Sequence, residues 1–95
     1  MTLRRMLALA TLLAAGSGAM AQARYDAEAV RLNNRGVALM GQQLTDRAAD
    51  AFAEAFKRDP KMAQAVINEG IAQFTMQKLD AAEKSLRAGL ALDPN

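Results

Sequence analysis

Residues 29–62 read AVRLNNRGVALMGQQLTDRAADAFAEAFKRDPKM, and residues 63–95 read AQAVINEGIAQFTMQKLDAAEKSLRAGLALDPN. Set one above the other, thirty-four positions apart, they match Ala29 with Ala63, Asn34 with Asn68, Gly36 with Gly70 and Ala38 with Ala72. The matches continue with Gln43 and Gln77, Asp46 and Asp80, Ala48 and Ala82, Asp59 and Asp93, and Pro60 and Pro94. Alanine identities carry little weight in an alanine-rich chain. Gly, Asn, Asp and Pro identities mark places where the backbone asks for a particular residue. Within each stretch the apolar residues recur at helical spacing, and none alternates as a half-buried strand does.

The chain therefore reads as all-α. Four helices are predicted, at about 26–41, 46–57, 60–76 and 80–92, with connections short enough to make neighbours antiparallel. Asp46 and Asp80 precede amphipathic runs, with Thr45 an alternative cap for the first of them. Glu83 stands three residues beyond Asp80, in the arrangement of a capping box. Asp59 before Pro60 predicts a third start, because proline suits the first helical position.

This thirty-four-residue period of helix, turn and helix resembles the tetratricopeptide repeat. The first unit, 29–62, is similar to the family pattern at Leu32, Gly36, Ala48, Phe52, Ala55 and Pro60. The second, 63–95, is similar at Val66, Gly70, Ala82, Leu86, Gly89 and Pro94. It departs from that pattern at Arg35 and Glu69, where the family has Leu, and at Leu39 and Gln73, where it has Tyr. The resemblance implies two repeats stacked as a short right-handed α-solenoid. In it Gly36 faces Ala48 at a close helix crossing, while Phe52 and Leu86 fill the space between hairpins.

The resemblance also implies where a partner binds. In this family the first helix of each repeat lines a concave face that takes an extended or helical peptide. The matching positions are Val30, Asn33, Val37 and Met40, then Gln64, Ile67, Ile71 and Phe74, with Asn34 and Asn68 as amides for a ligand backbone. The carboxylate clamp of one branch needs Lys and Asn where this chain has Asn33, Val37, Ile67 and Ile71, so a hydrophobic or mixed segment of a protein partner is the expected ligand. The alternative is self-packing. Leu86 and Leu90 take the places of Phe52 and Phe56, no further repeat follows to cover them, and homo-oligomerisation through that face is the competing expectation.

Ahead of the repeats, Arg4 and Arg5 are followed by ten uncharged residues, 6–15, then Gly16-Ser17-Gly18 and Ala19-Met20-Ala21. That is the layout of a secretory signal, 1–21, cut before Gln22 and followed by a lead-in, 22–28. Ten residues at about 1.5 Å each span only half of a ~30 Å hydrocarbon core, so no stable membrane insertion is expected after cleavage. The expected location is a periplasm or the medium outside the cell.

Lys plus Arg number 12 and Asp plus Glu 10. Loss of Arg4 and Arg5 leaves a neutral chain, which argues against nucleic acid as a partner. With no Cys, His or Trp, thiol and imidazole chemistry is absent and no cofactor or metal site is expected. Asp50 with Glu54, Glu54 with Arg58 and Glu83 with Arg87 lie four apart on second helices and read as a solvated face, so no catalytic residues are assigned.

Overall fold

The computed structural model describes residues 25–93. The signal reading, and the lead-in before Tyr25, fall outside the described residues. Four helices follow one another: α1 (Ala27–Gly41), α2 (Thr45–Arg58), α3 (Ala63–Thr75) and α4 (Leu79–Leu92). No strand occurs among the described residues. Each helix packs on its neighbour in sequence, and α1 barely touches α3.

The pairs are antiparallel. The amide of Asp26, at the head of α1, donates to Asp59 Oδ2 at the foot of α2 over 2.8 Å. Between α2 and α3, Ala48 and Phe52 share one buried layer with Ala72, and Ala55 shares another with Met62 and Ala65. Small side chains thus line the α2/α3 seam, and they let the helices approach closely enough for Phe52 to be buried within it.

Both close crossings anticipated at glycine are present, with one change of partner. A Cβ on Gly36 would lie 2.6 Å from Phe52 Cδ1, and one on Gly70 would lie 2.9 Å from Leu86 Cγ. Gly36 therefore accommodates the Phe52 ring rather than Ala48. Gly89 is a third close approach, against Ile67.

Helix ends follow rules that periodicity alone does not reveal. Only α1 has a side-chain cap, Asp26, whose Oδ2 accepts the Ala29 amide at 3.0 Å. The N-caps of α2 and α4 are Leu44 and Lys78, and neither makes a side-chain cap bond. Thr45, Asp46 and Asp80 lie inside the first turns instead, where an aspartate carboxylate still faces the positive end of the helix. The expected Asp80 and Glu83 capping box does not form. Helix α3 starts at Ala63 rather than at Pro60, because Asp59 is extended before the proline and the Met62 amide turns back to the Asp59 carbonyl at 3.0 Å.

The turn between the helices of each hairpin explains the missing caps. Leu44 N–H bonds to Leu39 O and Gln43 N–H to Met40 O; Lys78 N–H bonds to Gln73 O and Gln77 N–H to Phe74 O. Each is a Schellman closure that runs directly into the next helix, leaving no residue free to act as a polar cap. Both closures place a glutamine in the left-handed region, Gln43 at φ 63° and Gln77 at φ 61°. Replacing either by glycine removes that strain. Gln43→Gly and Gln77→Gly are each expected to raise stability by roughly 1 kcal/mol, additively, in urea melts; unchanged midpoints would show the glutamines are unstrained.

Candidate functional site

The foot of the first hairpin is tied by charge. Asp59, buried, accepts from the Asp26 amide, from the Lys61 amide at 3.3 Å, and from Lys61 Nζ at 2.9 and 3.0 Å. Lys61 Nζ also stands 5.8 Å from the centre of the Tyr25 ring. Arg58 Nε reaches Asp26 Oδ2 at 3.1 Å. Glu54 stands one turn earlier on the same helix as Arg58, but the carboxylate that Arg58 takes lies across the hairpin, at the head of α1. The Asp26 amide holds Asp59 below the ordinary carboxylate range, with Lys61 assisting. The Ala29 amide and Arg58 do the same for Asp26. At the opposite hairpin, burial pushes Glu69 up, against the pull of the Ser85 hydroxyl 3.4 Å away, which is itself 2.7 Å from Gln73 Oε1.

The two effects have opposite signs with pH. A depressed aspartate contributes stability that is complete above about pH 4 and disappears as pH falls through its lower folded-state value. A raised glutamate does the reverse, and the fold gains as Glu69 takes up its proton. Stability is expected to rise slightly on mild acidification and then fall below about pH 4, as followed by thermal melts. Asp59→Asn should blunt the fall and Glu69→Gln should remove the rise; unaltered profiles in both variants would refute the assignment.

The residues assigned to a binding face from sequence lie on α1 and α3, and they divide into two groups. Val37, Ile71 and Phe74 are 52, 47 and 62% exposed, and Asn34 and Gln64 are exposed as well. Val30 and Met40 are half-buried, each packed against a core layer. Ile67 is half-buried over Gly89 and helps hold α3 to α4. Asn33 is buried, and its Oδ1 accepts from Asn68 Nδ2 at 3.0 Å. That amide pair joins the two first helices, so these two side chains act on each other. Of the large apolar side chains assigned to this face, Val37 on α1 and Ile71 and Phe74 on α3 are the exposed ones.

A second apolar surface is larger than the two leucines that announced it. Phe74 at the end of α3 and Leu79, Ala82, Leu86 and Leu90 along α4 line a groove of about 520 Å³, edged by Glu83 and Arg87. Leu86 is half-buried against Gly70, while Leu79 and Leu90 are 60 and 61% exposed. The signal for Leu79 was the helical stripe 79, 82, 86, 90, which the tie to repeat positions obscured.

A furrow of about 550 Å³ along α1 and α2 is of a different kind. Arg35, Arg47 and Lys57 line it together with Asp50 and Glu54, so charges of both signs share an open channel. Among the described residues no group of acidic side chains is placed to hold a metal ion, and no helix is long and apolar enough to cross a membrane. Neither a protein-family model nor a curated protein matches the chain.

Proposed function

We propose that the protein is an exported, non-catalytic adaptor of tetratricopeptide type, two repeats forming a short right-handed α-solenoid, that binds an apolar extended or helical segment of another protein. The observation that carries the reading is the exposure of Val37 on α1 and of Ile71 and Phe74 on α3, three large apolar side chains open to water on the first helices of the two hairpins. Hydrophobic side chains scattered singly need no explanation, but three large ones at matching helices of successive hairpins suit a partner segment. The exposed Asn34 lies on the same helix and offers an amide to a partner's backbone. The arginine pair and apolar run at the N-terminus support export to a periplasm or beyond, and envelope assembly or secretion as the setting.

The test is a photo-crosslinking residue at position 71 in producing cells, with one at position 57 as a surface control. A discrete adduct with a different polypeptide from position 71 alone supports the reading, and Ile71→Asp should abolish that partner's binding with helicity retained. No adduct, or adducts only with further copies of this chain, would overturn it.

A further inference from the structure

The groove on α4 can be compared with its own counterpart inside the molecule. Thirty-four residues earlier, Phe74, Leu79, Ala82, Leu86 and Leu90 correspond to Met40, Thr45, Ala48, Phe52 and Phe56. That earlier stripe is covered by α3, with Ala72 against Ala48 and Phe52, and Met62 and Ala65 beside Phe56. The rim differs. Where the covered stripe has Ala49 and Ala53, the open one has Glu83 and Arg87, which pair along the helix at 2.9 Å. A helix stacked here as α3 is stacked on the first hairpin would press small apolar side chains onto an ion pair, with a desolvation cost and nothing to replace the lost water.

The other end of the molecule does not supply a matching surface either. The residues that correspond to Met62, Ala65 and Ala72, which meet α2 from α3 and its N-cap, are Glu28, Arg31 and Ala38, and Glu28 and Arg31 form an ion pair at 3.4 Å. Stacking copies head to tail would set that pair against Leu90. Among the described residues, a surface that complements the groove in both respects, apolar stripe and paired charges, is the groove itself.

We propose that the leucine face of α4 is a homodimer interface, closed about a two-fold axis across the middle of the helix. Antiparallel α4 helices bring Leu79, Leu86 and Leu90 of the two copies together. Glu83 and Arg87 lie on either side of the axis, so Glu83 of each copy meets Arg87 of the other. An isologous contact of this kind is closed and yields a dimer without further growth. The proposal does not rest on the reading of Ile71, which lies outside the groove; Phe74 alone is shared by the two surfaces.

The experiment is sedimentation equilibrium on the purified protein. A single monomer–dimer equilibrium is expected, with Leu90→Asp raising the dissociation constant at least about tenfold while helicity is kept. Charge exchange distinguishes the two-fold contact from others. E83R makes the rim wholly positive and R87E makes it wholly negative, so each variant alone should self-associate more weakly than the parent. Their equimolar mixture should form a heterodimer at least as tight as the parent dimer. A parent protein that is monomeric up to about 100 µM would overturn the proposal. So would an unending series of oligomers, or a mixture that associates no better than its components.

Discussion

Gly36→Val is expected to destabilise the fold by about 3 kcal/mol or more, the upper part of the range for forcing extra atoms into a packed core. The wall it meets is the Phe52 ring, which is buried and held by Leu39, Ala48, Ala51 and Ala72. A flexible side chain could swing away; a ring packed on every side moves only with its helix. Gly36→Ala tests the same contact more gently, since alanine gains roughly 1 kcal/mol of helix preference that offsets part of the clash. Urea unfolding followed by circular dichroism measures both. A valine variant within about 0.5 kcal/mol of the parent would show that the α1/α2 crossing has slack.

Phe52→Ala is the second large effect, expected at about 3 to 5 kcal/mol from lost burial and the cavity left behind. Phe52 is the largest fully buried side chain, and it touches both hairpins' contributions to one layer. For some 70 ordered residues the whole stability is of order 3 to 10 kcal/mol, so either change approaches the total. The two are coupled. Removing the ring makes room for a side chain at position 36, and the double variant Gly36→Val with Phe52→Ala should lose less than the two single changes combined. Simple additivity would mean that the valine clashes elsewhere. Leu86→Ala, the corresponding change in the second hairpin, should cost less because Leu86 is only half-buried.

The helical reading was accessible from residues alone because periodicity and the thirty-four-residue offset both report burial. Gly36 and Gly70 were legible for the same reason: each lies where two helices nearly touch. Helix starts were less so. Asp46 and Asp80 have the chemistry of caps, yet a Schellman closure two residues earlier already fixes where the next helix begins, and backbone bonds outrank the side-chain preference. On the candidate face, Asn33 and Asn68 look alike to any reading of types and spacing. Only the interhelical distance shows that one amide is spent on the other. The groove on α4 was visible in outline through Leu86 and Leu90, but its charged rim acquires meaning only beside Ala49, which stands at the place of Glu83 and packs on the layer that α3 covers.

Among hydrogen bonds between the described residues, the widest span in sequence is Asn68 to Asn33, 35 residues, and it is the one that joins non-consecutive helices, α1 and α3. Nearly everything else joins consecutive helices, a topology whose loops close quickly and which folds in microseconds to milliseconds. Contacts between neighbouring helices are therefore expected early on the way to the native state, and the Asn33–Asn68 link late. Loss of that link, by Asn68→Ala, is expected to leave the speed of assembly nearly untouched and to shorten the lifetime of the assembled chain.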